Sequence, residues 1–293
     1  MVERNTVFDY LNAFLMILLL GTFAFPLLYV VFLSVSDTFK IANGTFQFWP
    51  VGFQLSGYAA VFKNSMIWRG FANSFMYSAA GTVLTLILCS LPGYVLSSND
   101  FKAKRTFTVF FAITMFFNGG IIPTFLVVSK LGLLDTIWPI IIFPSLSCWN
   151  IILFRTNFKQ IPDALLESAK IDGASHFWIY AKLVVGLSKP IFAVVSIFAF
   201  VQIWNQYFPA LLYLTSQDKQ PLMIVMRKYV VDGNMRGLME NITTQMGKTI
   251  EPDGFARSVK MSAIIVSIFP ILGLYPFMQR FMGKGIMIGS LKG

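Results

Sequence analysis

The chain has 293 residues, of which 56% are hydrophobic and only 12% charged, with a formal net charge of +10. Soluble domains carry about 45–50% apolar and about 25% charged residues, so this apolar excess excludes a water-facing globular fold. The basic residues stand singly between apolar runs rather than on one stripe, which argues against nucleic acid and leaves anionic lipid headgroups or an acidic solute.

A bilayer crossing needs about 20 predominantly apolar residues, and the pattern predicts six such spans. The first covers about 11–35. It exceeds the 7–15-residue core of a signal peptide, and Glu3 and Asp9 spoil the basic leader, so it is expected to be retained. A long connection of about 36–73 leads to the second span, about 74–96. Lys102, Lys104 and Arg105 then precede the third, about 106–129. Asn118-Gly119-Gly120 and Pro123 interrupt that span. Such a break is tolerated where neighbouring helices or a wet cavity satisfy the freed backbone groups, so two readings stand: a pathway lining or a packed kink.

The fourth span covers about 137–154, the fifth about 183–203 and the sixth about 259–282, with a long segment of about 204–258 before the last. Cys89 and Cys148 lie inside apolar runs and read as buried side chains rather than a disulfide framework. A lone His176, with no carboxylate cluster, leaves no metal site. The fold class expected is all-α: a polytopic membrane protein of six transmembrane helices, one domain over 1–293.

Lys and Arg close to span ends mark the cytoplasmic side, and long loops are discounted. Lys102, Lys104 and Arg105 share a side with Arg155, Lys159, Lys170 and Lys182, with Arg4, and with Arg280, Lys284 and Lys292. Both termini are therefore expected in the cytoplasm, and segments 36–73 and 204–258 outside.

The segment of about 156–182 is the most informative. Pro162 suits the first position of a helix and Asp163 the positive end of its dipole. Ile161, Leu165, Leu166 and Ala169 recur at helical spacing on one face. Gly173 can take the left-handed conformation that closes the helix, and Ser175 can cap a second one leading through Phe177 and Trp178. The residues alone fit an amphipathic pair lying on the membrane interface as well as one that meets a partner.

Glu167-Ser168-Ala169-Lys170-Ile171-Asp172-Gly173-Ala174 resembles the EAA loop, Glu-Ala-Ala-x-x-Asp-Gly-Ala, of permease subunits in binding-protein-dependent ABC importers. The resemblance implies a cytoplasmic coupling helix-turn-helix that docks into a groove on a separate ATPase. Glu167, Asp172 and Gly173 match the motif, and Ser168 replaces its second residue. Glu167 is expected to pair with a basic group of the ATPase, Asp172 to cap or hydrogen-bond around the Gly173 turn, and Ala169, Gly173 and Ala174 to permit close approach. Where the family continues to a Leu-Pro pair, Val185-Gly186 stand here, with Pro190 four residues later.

The likeness covers most of the chain and is similar to carbohydrate permeases of the maltose type. Within these it resembles the subgroup for complex oligosaccharides and polysaccharide fragments, alginate among them, through the runs 118–124 and 130–138. It implies a second homologous permease, two ATPase subunits, an external solute-binding protein and a carbohydrate solute. ATP and magnesium would be bound by the ATPase chains, with no cofactor and no catalytic group in this one. The tail, with Gly289, Lys292 and Gly293, matches one that reaches the ATPase dimer; a frayed end is the alternative.

For the solute pathway, Trp204-Asn205-Gln206-Tyr207 combines aromatic faces with amides, as sugar sites do. An interfacial aromatic belt is the other reading. Trp149, Asn150 and Asn118 are further candidates, since polar groups in spans face a bundle interior.

Met246-Gly247-Lys248-Thr249 resembles the end of a phosphate-binding loop, but the required earlier glycine is Ile242, so no ATP site is expected. The spans offer neither the carboxylate relay of an ion-coupled transporter nor a catalytic constellation.

Overall fold

The computed structural model describes residues 7–44, 49–117, 119–230 and 252–289. Asn118, Lys292, Gly293 and the 246–249 stretch lie outside them. Among the described residues the structure is helical throughout, and its β-type pairing is one isolated bridge, Ser36 to Phe53.

The chain divides into two compact units. One gathers the residues up to Trp68 with Val225–Phe269; the other gathers Arg69–Ile224 with the residues from Pro270 onward. In the first, α1 (Val7–Ser34) is continuously apolar and turns its sides outward, as a lipid-facing helix does. It is followed by α2 (Thr38–Ala42), whose N-terminus the Asp37 carboxylate caps by accepting from the Phe39 N–H at 2.9 Å, and by α3 (Ser56–Lys63). The Ser34 and Tyr58 hydroxyls meet at 2.9 Å, and the Ser262 hydroxyl donates to the Ser34 carbonyl at 3.4 Å.

The second unit carries most of α4 (Ser65–Ser97), then α5 (Lys104–Phe116), α6 (Ile121–Lys130), α7 (Trp138–Ser145) and α8 (Cys148–Phe158). Next come α9 (Asp163–Ile171), α10 (His176–Trp178), a π-helical stretch Ile179–Val184, α11 (Val185–Leu187) and α12 (Lys189–Trp204). Then follow α13 (Phe208–Tyr213), a 3-10 turn Gln217–Lys219 and the start of α14 (Leu222–Val230); the rest of α14, and α15 (Pro252–Gly289) up to Phe269, belong to the first unit.

Three segments are single helices long and apolar enough to cross a membrane: Val7–Ser34, Ser65–Ser97 and Asp253–Leu274. Three more arise if each bent pair counts as one span: α5 with α6, α7 with α8, and His176–Leu187 with α12. All six predicted spans thus have counterparts, and the chain is an all-α polytopic membrane protein. The structure differs at the joints. α7 and α8 meet at 42°, after Pro144, and His176–Leu187 meets α12 at 84°. Pro190 sits in the first turn of α12, where its missing N–H is harmless, so the bend falls at Ser188 rather than at Gly186.

Two cores stand out among the described residues of this unit. Tyr77, Val128, Ile140, Ile141, Ile203, Ala210, Tyr213, Leu214 and Ile224 form one. Cys89, Leu96, Ile151, Phe154, Phe158, Ile179, Val184 and Val195 form the other. Gly93 lets α4 lie directly on α8: a Cβ there would stand 2.7 Å from the Phe154 Cβ and 3.2 Å from the Arg155 nitrogen and the Ile151 carbonyl oxygen. Hydroxyls inside α4 satisfy themselves on the preceding turn, Thr82 on the Ser78 carbonyl and Thr85 on that of Gly81.

Candidate functional site

The helix α9 begins one residue later than its sequence suggests. Pro162 is the extended N-cap (φ −58°, ψ 129°) and Asp163 the first helical residue. Ile161, Leu166 and Ala169 pack against the core built on Phe154 and Ile179, while Leu165 stays 43% exposed. One side of α9 is therefore anchored and the other is open.

The turn after α9 is closed by its backbone. The Ala174 N–H donates to the Ala169 carbonyl and the Gly173 N–H to that of Lys170, both at 3.0 Å. This is the paired bonding of a Schellman ending, and Gly173 takes the left-handed conformation it requires, φ +79°. Asp172 is the C-cap and its N–H donates to the Ser168 carbonyl at 3.0 Å. The bond expected around the turn comes from this main chain, with Asp172's side chain exposed. The Ser175 hydroxyl accepts from the Trp178 N–H at 3.3 Å, which starts α10.

Ser168, Ala169, Asp172, Gly173 and Ala174 come together along one open cleft, completed by Leu165, Trp178 and Leu183. Glu167 lies elsewhere. It lines a separate cavity of about 300 Å³ with Asn99, Asp100, Lys159, Asp163, Lys170 and His176.

Across that cavity α9 meets the loop 98–103. Lys170 Nζ pairs with Asp100 Oδ2 at 2.5 Å. The Asn99 amide donates to Asp163 Oδ2 at 3.3 Å, and Lys104 Nζ donates to Asn99 Oδ1 at 3.0 Å. The hydrogen bond from Lys170, with its charge, holds the Asp100 carboxyl below its ordinary range, and the same bond raises Lys170. Nearby, Arg155 Nε donates to the Leu96 carbonyl at 3.4 Å. These contacts bring the 98–103 loop and the 156–182 segment side by side.

A second polar knot uses other loops. Asp135, at φ +53°, accepts from the N–H groups of Thr215 (3.0 Å) and Ser216 (2.9 Å) and from the Ser216 hydroxyl. Lys219 Nζ reaches both its carboxylate and its carbonyl. These bonds, first those from Ser216, hold the Asp135 carboxyl well below the usual range. From α4, Asn73 donates to the carbonyls of Asp218 and Gln220, and the Tyr77 hydroxyl to that of Lys219. Neither knot is announced by a motif; an Asp between Leu134 and Thr136 signals at most a tolerance for positive φ.

The pathway candidates are spread. Trp204 is fully buried, edge-on to Phe71 (5.4 Å, 82°) and stacked on Phe200 (5.9 Å, 15°). Its faces are occupied, as neither a sugar platform nor a belt requires. Gln206 donates to the Ile140 carbonyl at 3.2 Å, leaving its buried Oε1 without a protein partner. Tyr207 packs against the core around Tyr77 and Ile203, and Asn205 is exposed. On α8, Trp149 is 61% exposed and Asn150 is buried. Among the described residues no group of three or more His, Cys, Asp or Glu could hold a metal.

Residues 74–287 match the family described as the binding-protein-dependent transport system inner membrane component. The chain is 34% identical over 291 residues to the polygalacturonan/rhamnogalacturonan transport system permease protein YtcP of Bacillus subtilis, covering 99% of this chain and 100% of that one. It is 27% identical to the arabinooligosaccharides transport system permease protein AraQ of Halalkalibacterium halodurans, over 92% of this chain and 91% of that one. Its structure is similar to a chain of a bacterial ABC transporter involved in the import of the acidic polysaccharide alginate, with a TM-score of 0.85, 30% identity, and coverage of 95% and 99%.

Proposed function

The chain belongs to the family of inner-membrane components of binding-protein-dependent transport systems, and from that premise we propose that it is the permease subunit of an ABC importer for an oligosaccharide or polysaccharide fragment. It contributes no catalytic chemistry; ATP and magnesium are bound and turned over by partner ATPase subunits. The observation that carries this reading is the cleft along Ser168, Ala169, Asp172, Gly173 and Ala174, beside a helix whose inner side is fixed to the core.

That cleft suits a socket on the ATPase. Small residues let another backbone approach, and the Schellman turn gives the protruding corner a fixed shape. ATP-driven closure of two ATPase subunits then moves α9 as a body, because packed interfaces switch between discrete arrangements rather than deforming smoothly. Glu167, outside the cleft, meets a basic side chain of the ATPase from the other flank. The loop-bearing end faces the cytoplasm, as do both termini, and the tail with Gly289 reaches toward the ATPase pair. A second, homologous permease completes the pathway, and a binding protein delivers solute from outside.

The solute class rests on the relatives, named for galacturonan, arabinooligosaccharide and alginate transport. Asn205 and Trp149 keep exposed surfaces that a passing sugar could meet, while Trp204 is buried against Phe71 and Phe200.

Purification of the tagged chain from its native membrane tests the assembly. An ATPase and a second permease should accompany it, and ATP hydrolysis should rise when a binding protein loaded with uronate or neutral oligosaccharide is added. Isolation without an ATPase under conditions that keep the helices intact would overturn the reading.

A further inference from the structure

We propose that the loop 98–103 is a clasp on α9, with Lys170 and Asp100 as positioning residues that pass movement of the coupling helix to α4. The proposal rests on the coupling role proposed for α9 and adds a polar route out of that helix, besides its packed face and its covalent links to α8 and α10.

The clasp holds both ends of the helix. Asp163 is its first residue and Lys170 stands seven positions on, two turns away on the same side. The neighbours Asn99 and Asp100 take one each, at 3.3 Å and 2.5 Å. Lys104, in the first turn of α5, braces the loop from behind through Asn99 Oδ1 (3.0 Å) and the Ser98 carbonyl (3.4 Å). Between loop and helix lies the cavity of about 300 Å³, with side chains joining them at its rim, while Leu166 and Ala169 of α9 and Phe101 of the loop pack on the core that holds Leu96.

Such a contact adds little to folding. The side chains of Lys170 and Asp100 are 40% and 65% exposed, and exposed pairs contribute little to stability. What it supplies is position: two attachments fix the orientation of α9 relative to the end of α4, where one would leave a pivot.

α4 then carries the displacement onward. It is 33 residues long, roughly 50 Å at 1.5 Å per residue. Toward its beginning Asn73, Ser74 and Tyr77 hold the 218–222 segment, with the Ser74 hydroxyl accepting from the Leu222 N–H at 2.8 Å. The clasp at one end and the Asp135 knot's own segment at the other are therefore gripped by the same helix. This is a continuous physical connection of the kind that can carry coupling.

The test uses the complete transporter in proteoliposomes, with Asp100→Lys, Lys170→Asp and the double exchange. Each single variant should still bring down the ATPase yet lose about fivefold or more of its uptake per ATP hydrolysed, the low end of typical coupling energies. The double exchange should recover most of that loss. Unchanged coupling in the single variants, or no recovery in the double, overturns the clasp. Loss of the ATPase from the single variants alone also overturns it, since the residues would then serve docking. Absence of an ATPase from the unmodified complex would instead strike the proposed function itself. Should charge reversal lower the membrane yield, Asp100→Asn and Lys170→Met remove the pair without reversing it, and normal coupling in both overturns the clasp equally.

Discussion

Asp135 holds Lys219 twice: Nζ lies 2.6 Å from the Asp135 carbonyl oxygen and 3.1 Å from its carboxylate. The same carboxylate takes the N–H groups of Thr215 and Ser216, so one side chain organises the whole turn after α13. Asp135→Asn keeps an acceptor but loses the charge and half of the acceptor capacity, and should lower the melting temperature of the purified protein. The native carboxyl is held well below the ordinary carboxylate range, so the stabilisation is fully present above the unfolded value near 4. It fades progressively as pH falls below that value and through the depressed native one. The melting difference between the two proteins should accordingly be flat from pH 8 to about 5 and shrink below about pH 4.

Gly173→Pro should leave the protein in the membrane and uncouple ATP hydrolysis from uptake. Proline cannot adopt φ +79° and removes the N–H that donates to Lys170. Gly173→Ala keeps the N–H and meets no neighbouring atom within 4 Å, so it carries only the left-handed backbone penalty of about 1–2 kcal/mol. Uptake per ATP should therefore fall less for alanine than for proline, and equal values would contradict a role for the turn's shape.

Gly93→Val should reduce thermal stability by about 1–3 kcal/mol, the usual range for overpacking. Its side chain would press on the α8 backbone, which cannot rotate away as a flexible side chain could. Melting of the detergent-solubilised protein checks this, with Gly186→Val, where an added Cβ meets no neighbouring atom within 4 Å, as the comparison.

Trp204→Ala should act on stability before it acts on solute. Removing a fully buried indole between Phe71 and Phe200 costs about 3–5 kcal/mol in a packed core. Trp149→Ala, at an exposed position, should leave melting within about 0.5 kcal/mol of the original. If Trp204→Ala melts normally and only its uptake is impaired, packing against Phe71 and Phe200 does not govern the residue.

The spans were legible because hydropathy is a property of consecutive residues, and six apolar runs each reappear as a helix or a bent pair. The turn at Gly173 was legible for a similar reason: glycine, cap and helix period are all local. Pro162 shows the limit of that reasoning, since extended and helical positions for a proline at a helix start differ by one residue. The pair Lys170–Asp100 bridges 70 positions, and nothing in either neighbourhood selects the other. Trp204 was hidden for a different reason. An indole beside Asn205, Gln206 and Tyr207 reads as a surface feature until Phe71, far away in the sequence, is brought against it.

The 84° joint between His176–Leu187 and α12 has a mechanical consequence. A straight rod pushed from one end slides along its own axis, which in a bilayer would mean plunging toward the opposite face. A near-right-angled elbow works as a bell crank: thrust along the short arm emerges as a sideways sweep of the long one. At its corner the Ser188 N–H donates to the Val184 carbonyl and the Ile191 and Phe192 N–H groups donate to the Ser188 carbonyl, so the two arms are joined through the bend and would turn together.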